Sequence, residues 1–197
     1  MKKVIIFGGT GFIGTSVAKY ISSKGFYPIV IGRTKTNESF EFVKWDGMNA
    51  GEWECELNNA FAIINLVGKS VDCIKTPKNI DEILKSRVDA TLLIGKALRK
   101  ANSPPKIWIQ MSTAHIYGDS ETRINHEDST LGYGLAPFVG KKWEAAFHAS
   151  ALSDTRKVLL RTGFVLDKSG GAFTKLKQIV SLGLGGKVAN GKQGMSW

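Results

Sequence analysis

The stretch Lys3-Val4-Ile5-Ile6-Phe7-Gly8-Gly9-Thr10-Gly11-Phe12-Ile13-Gly14 decides the fold of this chain. Lys3 to Phe7 is an apolar run rich in β-branched residues, typical of a strand buried on both faces, and Ile13 to Lys24 continues with helical spacing. Between them, Gly8 permits a tight turn, Gly11 lets the backbone approach a pyrophosphate, and Gly14 lets the helix pack closely on the strand. The N-terminus of the helix would add free N–H groups for phosphates. Residues 8–14 therefore predict a dinucleotide-binding turn, the alternative being an ordinary structural turn.

The rest of the chain repeats this strand-helix alternation. Further strands are predicted at Pro28 to Ile31, Phe40 to Trp45, Phe61 to Val67, Ile107 to Ser112 and Val158 to Val165, and further helices at Ile80 to Lys100 and about Phe138 to Ala151. Alternating strands and helices imply a parallel sheet with helices on both faces. The predicted fold class is α/β, a Rossmann-type doubly wound parallel sheet.

Composition narrows the class of protein. The 197 residues are 43% hydrophobic and 22% charged, enough for one domain, or one domain and a fragment of a second, with a sizeable core. No apolar run approaches the roughly 18 to 20 residues that span a bilayer, so no membrane association is expected. Two cysteines, Cys55 and Cys73, are too few for a disulfide framework and indicate a reducing, cytoplasmic location.

The formal net charge of +10 raises the question of nucleic-acid binding. Six of these ten excess charges lie after Glu144, in the last 53 residues, so the charge is a local asymmetry. No recognition motif or basic helix accompanies it. Nucleic-acid binding therefore remains only a minor hypothesis, and phosphate-rich small ligands suit the basic segment better.

The residues after the second predicted strand bear on cofactor choice. An acidic residue there would bond the ribose hydroxyls of NAD, but the sequence is Ile31-Gly32-Arg33-Thr34-Lys35. Arg33 can pair with a 2′-phosphate in bidentate fashion, and Thr34 and Lys35 offer further donors. NADP is thus predicted over NAD, the alternative being that these side chains are solvated loop cations.

The glycine motif, in this spacing, resembles that of the extended and atypical short-chain dehydrogenase/reductases, the NAD(P)-dependent epimerase/dehydratase superfamily. Later motifs resemble its "epimerase family" branch, sometimes labelled cell-division-inhibitor-like. They are Trp45-Asp46, Ile64-Asn65-Leu66-Val67-Gly68, Ser86-Arg87 with Thr91, Lys142-Trp143-Glu144-Ala145-Ala146, Arg161-Thr162-Gly163 with Val165-Leu166, and Gly183-Leu184-Gly185-Gly186. The resemblance covers essentially the whole chain.

The resemblance implies further cofactor contacts. Asp46 would reach the adenine, and Leu66, Val67 and Gly68 would line the ribose and pyrophosphate side. Arg87 would face the nicotinamide half from the long helix. The alternatives are that Leu66 and Val67 are core residues and that Arg87 pairs with a carboxylate on a helix surface.

Catalysis in this superfamily usually requires a Ser or Thr, a Tyr and a Lys. The segment Ser112-Thr113-Ala114-His115-Ile116-Tyr117-Gly118 resembles the Ser/Thr element, with Thr113 at the usual hydroxyl position and Ser112 beside it. The hydroxyl would bond the substrate oxygen, the alternative being that it satisfies the end of the strand.

The Tyr-Lys pair, four residues apart on one helix face, is missing at the expected place. Alignment on Trp143-Glu144 puts Ala136 and Gly140 where Tyr and Lys would stand, and Tyr133 has Pro137 at the fourth position after it. Three alternatives remain: a substitute acid among Tyr133, Tyr117 and His115, hydride transfer with water as proton source, or no catalysis. Tyr133, with Thr113 and Ser112, is a candidate catalytic residue.

The resemblance also implies the domain organisation. Residues 1–166 would form an NADP-binding Rossmann domain, and residues 167–197 would begin a smaller substrate-binding lobe that the chain leaves incomplete, stopping inside a motif at Gly194-Met195-Ser196-Trp197. The expected function is that of an oxidoreductase or sugar-nucleotide-type epimerase with a small-molecule or nucleotide-linked substrate. The alternative is a non-catalytic NADP-binding sensor or interaction protein. A homodimer paired through the two long helices is also expected.

Overall fold

Each long apolar run in the sequence becomes a strand of one sheet. The computed structural model describes residues 1–119, 123–167, 170–187 and 190–191. In chain order the elements are β1 (Lys3–Phe7), α1 (Phe12–Ser23), β2 (Tyr27–Gly32), β3 (Glu41–Lys44), a 3-10 helix (Glu52–Leu57), β4 (Ala62–Asn65), α2 (Pro77–Leu98), β5 (Ile107–Thr113), a second 3-10 helix (Ala114–Tyr117), α3 (Leu135–Ser150), β6 (Arg156–Thr162) and α4 (Gly171–Ser181).

The six strands pair in the order β3-β2-β1-β4-β5-β6, and every pairing is parallel. This is the order of a doubly wound Rossmann sheet, so the predicted fold class is confirmed. The strand order reverses between β1 and β4. In such sheets, ligands bind outside the carboxyl ends of the strands at this reversal.

Both faces of the sheet are covered, as the apolar β1 run predicts. Val4 and Ile6 point into the cluster that packs with α1, while Ile5 and Phe7 point into the larger cluster on the opposite face. Trp108 and Phe147 complete the larger cluster in edge-to-face contact, with ring centroids 5.1 Å apart. The central strands are therefore packed on both faces of the sheet.

Most predicted boundaries differ from the structure by one to three residues, among them the start of α3 at Leu135 and the start of β6 at Arg156. Three of the differences lie close to the candidate site or to the helix that supports it. The long helix α2 begins at Pro77 rather than Ile80, because the Thr76 side chain accepts a hydrogen bond from the Asn79 amide and caps the helix. Strand β4 ends at Asn65 rather than Val67. The last strand ends at Thr162, where its neighbour β5 also ends at Thr113.

The C-terminal helix α4 contains no buried residue. Its N-terminal end lies against α1, since Phe12 packs closely on Gly170 and Gly171, and Lys175 pairs with Asp72. The predicted second lobe, 167–197, falls only partly among the described residues: 168–169, 188–189 and 192–197, with the Gly194 to Trp197 motif, lie outside them. None of the helices that the described residues form has the length and hydrophobicity needed to cross a membrane.

Candidate functional site: the carboxyl edge of the sheet

The glycine turn between β1 and α1 is shaped by two close approaches. Gly8 has φ +73°, a left-handed conformation that favours glycine, and its amide donates to the Ile31 carbonyl at 2.9 Å. A Cβ on Gly14 would come within 2.5 Å of the Gly8 oxygen and the Gly9 Cα. Only glycine at position 14 therefore lets α1 start so close to the end of β1.

Gly11 differs from these two glycines. Its φ of −78° suits any residue, and a Cβ there would meet only the Gly8 oxygen, at 3.4 Å. Nothing within the described protein thus requires glycine at this position. No side chain caps the α1 N-terminus that begins here, and the predicted pyrophosphate contact of Gly11 stays a prediction.

The basic residues after β2 lie on the protein surface beside this turn. Arg33, Thr34 and Lys35 are exposed, and among the described residues no hydrogen bond or ion pair engages Arg33. Gly32, which precedes them, leaves room for the Thr10 side chain: a Cβ on Gly32 would lie 2.7 Å from the Thr10 hydroxyl oxygen. Arg33 directly follows Gly32, the residue that contacts Thr10 of the glycine turn, and Lys35 lies two residues further along the chain.

Asp46 organises its own loop. Its Oδ1 accepts hydrogen bonds from the amides of Met48 and Asn49 at 2.8 and 2.9 Å, and its Oδ2 accepts one from the Asn49 side chain at 2.7 Å. These bonds, led by that of the Asn49 side chain, lower the pKa of the Asp46 carboxyl below its ordinary value. The predicted adenine contact of this exposed carboxylate stays a prediction.

The segment Leu66-Val67-Gly68 leaves the sheet as a turn at the carboxyl edge. The Leu66 amide still donates to the Phe7 carbonyl at 2.9 Å, but the Val67 amide donates to the Asn65 side chain at 3.1 Å. A Cβ on Gly8 would lie 3.1 Å from the Leu66 carbonyl group. The turn and the glycine loop are therefore immediate neighbours.

Arg87 supports this turn from α2. Its guanidinium donates to the carbonyls of Lys69 and Ile83, both at 3.0 Å, and lies over the Trp143 ring, 5.1 Å from the centroid. A Cβ on Gly68 would come within 2.8 Å of it. Within the described part of the chain Arg87 pairs with no carboxylate, so the alternative of an ion pair on the helix surface does not match the structure. Burial lowers the pKa of this guanidinium.

A buried hydrogen-bond network, which the sequence reasoning missed, lies beneath the turn. The fully buried Asn65 donates to Thr91 Oγ1 at 3.2 Å and to Gln110 Oε1 at 3.0 Å. Trp143 also donates to Thr91, and Trp108 to Gln110. The available signal was one polar residue inside the apolar run Ile63 to Val67. The network joins β4, β5, α2 and α3 where the turn begins.

Ser112 takes part in a second polar cluster. Its hydroxyl, 3% exposed as a residue, donates to Glu144 Oε1 at 2.5 Å, and Glu144 pairs in bidentate fashion with Arg161 at 2.9 and 2.8 Å. Arg161 also donates to the Tyr117 hydroxyl at 2.7 Å and to the Glu127 carbonyl at 2.8 Å. The bond with Glu144 raises the pKa of the Arg161 guanidinium. Ser112 and Tyr117, both predicted as candidates, therefore have protein partners.

Thr113 lies at the end of β5 and faces the second 3-10 helix. Its Oγ1 accepts a hydrogen bond from the His115 amide at 3.2 Å and lies 3.3 Å from His115 Nδ1. The hydroxyl oxygen thus accepts a backbone amide at the end of the strand, which is the structural alternative to a catalytic role, and it also contacts the His115 imidazole. The two roles are compatible, and the predicted role in catalysis stays a prediction.

Tyr133 and the residues at the Tyr-Lys positions lie around the start of α3. Tyr133 is 95% exposed, and Lys141 Nζ lies over its ring, 5.7 Å from the centroid. Gly140 is buried, and a Cβ there would lie 3.0 Å from Ile116 Cγ1. The close packing of the 3-10 helix on α3 explains why this position has no room for a lysine.

These features define the class of the protein. It is a Rossmann-type α/β protein whose glycine turn lies at the carboxyl edge of its sheet. The model of the NAD dependent epimerase/dehydratase family matches residues 4–162. The chain belongs to this family, and the resemblance noted in its motifs is confirmed.

Individual relatives agree with this assignment. The chain is 32% identical over 199 residues to the human epimerase family protein SDR39U1, a match that covers 99% of this chain and 65% of the relative. It is 28% identical to epimerase family protein ML0860 of Mycobacterium leprae, covering 98% of this chain and 62% of that protein. The chain thus spans slightly under two-thirds of the length of these relatives.

Solved structures match at the level of the fold. The structure of human SDR39U1 (isoform2) with NADPH superimposes with a TM-score of 0.86 at 31% identity, covering 99% of this chain and 65% of that one. A nucleoside-diphosphate sugar epimerase from Corynebacterium glutamicum gives a TM-score of 0.78 at 25% identity, covering 96% of this chain and 39% of that one.

Proposed function

We propose that the chain binds NADP(H) along the carboxyl edge of the sheet. The observation that carries the proposal is Arg33, an exposed cation without a described protein partner, directly after β2 and next to the glycine turn. A guanidinium in this place suits a 2′-phosphate, where an acidic residue would suit the 2′-hydroxyl of NAD. The human relative whose structure was solved with NADPH supports the same choice.

The residues present fit this cofactor. The open space at Gly11 and the uncapped N-terminus of α1 suit the pyrophosphate. Asp46 and the turn Leu66-Val67-Gly68 are proposed on the adenine and ribose sides, with Arg87 toward the nicotinamide half. When bound, the nicotinamide ring accepts or supplies a hydride.

We further propose that the protein is an oxidoreductase or epimerase whose substrate is a small or nucleotide-linked molecule bearing a hydroxyl or carbonyl group. Membership of the epimerase/dehydratase family supports this class of reaction. Thr113 would hold the substrate oxygen, because Ser112 is buried and donates to Glu144. Tyr133, fully exposed beside α3, is a candidate to close over the substrate.

One observation favours a second function, a non-catalytic NADP-binding sensor or interaction protein. Gly140 packs against Ile116 where the usual catalytic lysine would stand, and Ala136 occupies the tyrosine position. A protein without the usual acid would still report the NADPH level through binding. Both functions require the same cofactor, so they are separated by turnover and not by affinity.

The remaining proposals concern the location, binding partners and domain organisation of the protein. We expect a cytoplasmic protein that does not bind nucleic acid. We expect its homodimer to form through α2 and α3, and residues 167–197 to begin the substrate lobe. These stand on the sequence alone.

Isothermal titration with NADPH and NADH tests the cofactor proposal. NADPH should bind at least about tenfold more tightly than NADH, a difference of roughly 1.4 kcal/mol. Binding of neither would refute both functions, and equal binding would refute the role of Arg33. Loss of NADPH absorbance with a panel of aldehydes, ketones and nucleotide-linked keto sugars then detects an oxidoreductase. Conversion of nucleotide sugars into their epimers, followed by NMR, detects an epimerase, and a sensor shows neither.

A further inference from the structure

The contact between Thr113 and His115 places an imidazole behind the hydroxyl proposed to hold the substrate oxygen. Thr113 Oγ1 lies 3.3 Å from His115 Nδ1, and the same oxygen accepts the His115 amide proton at 3.2 Å. A threonine hydroxyl has two acceptor positions and one proton. The amide occupies one acceptor position. When Nδ1 carries a proton, the second acceptor position receives it, and the hydroxyl proton is then free for a ligand.

The position of this pair at the sheet edge is well defined. Gln110 is the last residue of β5 that pairs with β4, opposite Asn65, so Thr113 extends three residues past that pairing. The His115 ring is exposed, yet it packs edge-to-face on Phe164, with centroids 5.4 Å apart. The ring is thereby oriented by a residue that follows β6.

The other candidate proton donors are held by different partners. Ser112 donates its proton to Glu144, and the Tyr117 hydroxyl accepts from Arg161, which also lies over the Tyr117 ring, 5.2 Å from its centroid. Tyr133 contacts Lys141 through its ring and stands 95% exposed. Of the hydroxyl and imidazole groups that the described residues place at this edge, Thr113 and His115 are the pair in mutual contact.

We propose that His115 supplies the proton of the reduction through Thr113, in place of the missing Tyr-Lys pair. This inference rests on the proposed oxidoreductase function. With the cofactor bound, the reduced nicotinamide would supply a hydride to the carbonyl carbon, and the π electrons of the C=O bond would pass to oxygen. That oxygen takes the Thr113 hydroxyl proton, and Thr113 Oγ1 takes the proton from Nδ1 of the His115 imidazolium. The neutral imidazole then regains a proton from water, which its exposure allows.

Chemical modification tests the placement of His115 without any turnover. Diethyl pyrocarbonate labels exposed histidines, and mass spectrometry gives a rate for each site. Saturating NADPH should slow labelling of His115 several-fold. His126 and His148, both exposed, serve as controls within the same chain and should be labelled at unchanged rates. Equal labelling of His115 with and without NADPH would overturn the proposal.

Substitution tests the relay itself. In the carbonyl panel, His115→Gln should lower kcat by roughly 100-fold or more, as loss of a general acid does, with KM little changed. Added imidazole should restore part of the activity of His115→Ala, which a merely structural histidine would not show. His148→Gln is the matched control and should keep wild-type turnover, and NADPH should bind His115→Gln as tightly as the wild type.

The outcomes separate this inference from the proposed function. Failure of the wild type to bind NADPH overturns both. NADPH binding and turnover that survive in His115→Gln overturn the relay alone. NADPH binding with no turnover of any panel member by the wild type overturns the relay and supports the sensor.

Discussion

Arg33 carries the preference between the two nicotinamide dinucleotides in this account. Because it has no described protein partner, its guanidinium can turn to a 2′-phosphate without breaking an existing bond. A hydrogen bond to a charged group is worth about 1.5 to 3 kcal/mol. Arg33→Ala should therefore weaken NADPH binding roughly 10- to 100-fold and leave NADH binding unchanged, as measured by titration calorimetry.

Arg156 provides the matched control for Arg33. It is also exposed, but it begins β6 and so lies at the opposite, amino edge of the sheet. Arg156→Ala should leave both affinities unchanged. A parallel loss of NADPH and NADH affinity in Arg33→Ala would contradict the assigned phosphate contact.

Alanine substitutions at Gly11 and Gly14 should have different effects, one on NADPH binding and the other on the stability of the fold. Gly11→Ala places a Cβ 3.4 Å from its nearest neighbour, so urea unfolding should give a free energy within about 1 kcal/mol of the wild type. The methyl group would instead stand in the way of the pyrophosphate and abolish measurable NADPH binding. Gly14→Ala forces a Cβ within 2.5 Å of backbone atoms and should cost about 3 kcal/mol of stability. Normal NADPH binding by a folded Gly11→Ala protein would be the contrary result.

The ion pair of Glu144 and Arg161 links the element α3 to β6, to the end of β5 through Ser112, and to the second 3-10 helix through Tyr117. The side chains of Glu144 and Arg161 are only 9% and 19% exposed. Removing one partner of a buried pair leaves an unpaired charge, so Glu144→Ala should lower the unfolding free energy by about 3 kcal/mol. Ser112→Ala removes one hydrogen bond to this carboxylate and should cost about 1.5 kcal/mol, the lower end for a bond to a charged group, because Glu144 keeps both Arg161 bonds. Urea unfolding followed by tryptophan fluorescence measures both, and equal small losses would show that the pair does not hold the elements together.

How far the elements could be predicted depends on the range of the interaction involved. Strand β1 and the glycine turn follow from adjacent residues, since burial on both faces and the Gly8, Gly11 and Gly14 spacing are local signals. The end of β4 at Asn65 does not follow from adjacent residues, because the apolar Leu66 and Val67 fit a strand as well as a turn. The choice is made by the Asn65 side chain, which captures the Val67 amide while bonding to Thr91 and Gln110.

The same distinction applies to the candidate site. The motifs that contain Glu144 and Arg161 are visible in the sequence, but the bonds between them are not. Ser112 and Glu144 are 32 positions apart, and Glu144 and Arg161 are 17 positions apart. Their contact depends on the register of β5 and β6. The contact of Thr113 with His115 requires the 3-10 helix that follows β5, for which the sequence pattern gave no indication. Buried polar contacts between elements are decided by packing and so appear only in the folded chain.

Cofactor binding should be coupled to the stability of the folded protein. A ligand that binds only the folded state at about 100 times its Kd adds about 2.7 kcal/mol to the unfolding free energy. For a chain of this length that corresponds to a rise in Tm of roughly 5 to 10 °C, measurable by differential scanning calorimetry. NADH at the same concentration should raise the Tm by less, and Gly11→Ala should show no shift with either. An equal shift with both dinucleotides would argue against NADP selectivity.

The most direct test of the central claim is a crystal structure of this chain with NADPH. We predict density for the pyrophosphate over Gly11 at the N-terminus of α1, with the 2′-phosphate within hydrogen-bond distance of the Arg33 guanidinium. A dinucleotide bound elsewhere, or one bound on the glycine turn with its 2′-phosphate away from Arg33, would contradict the account.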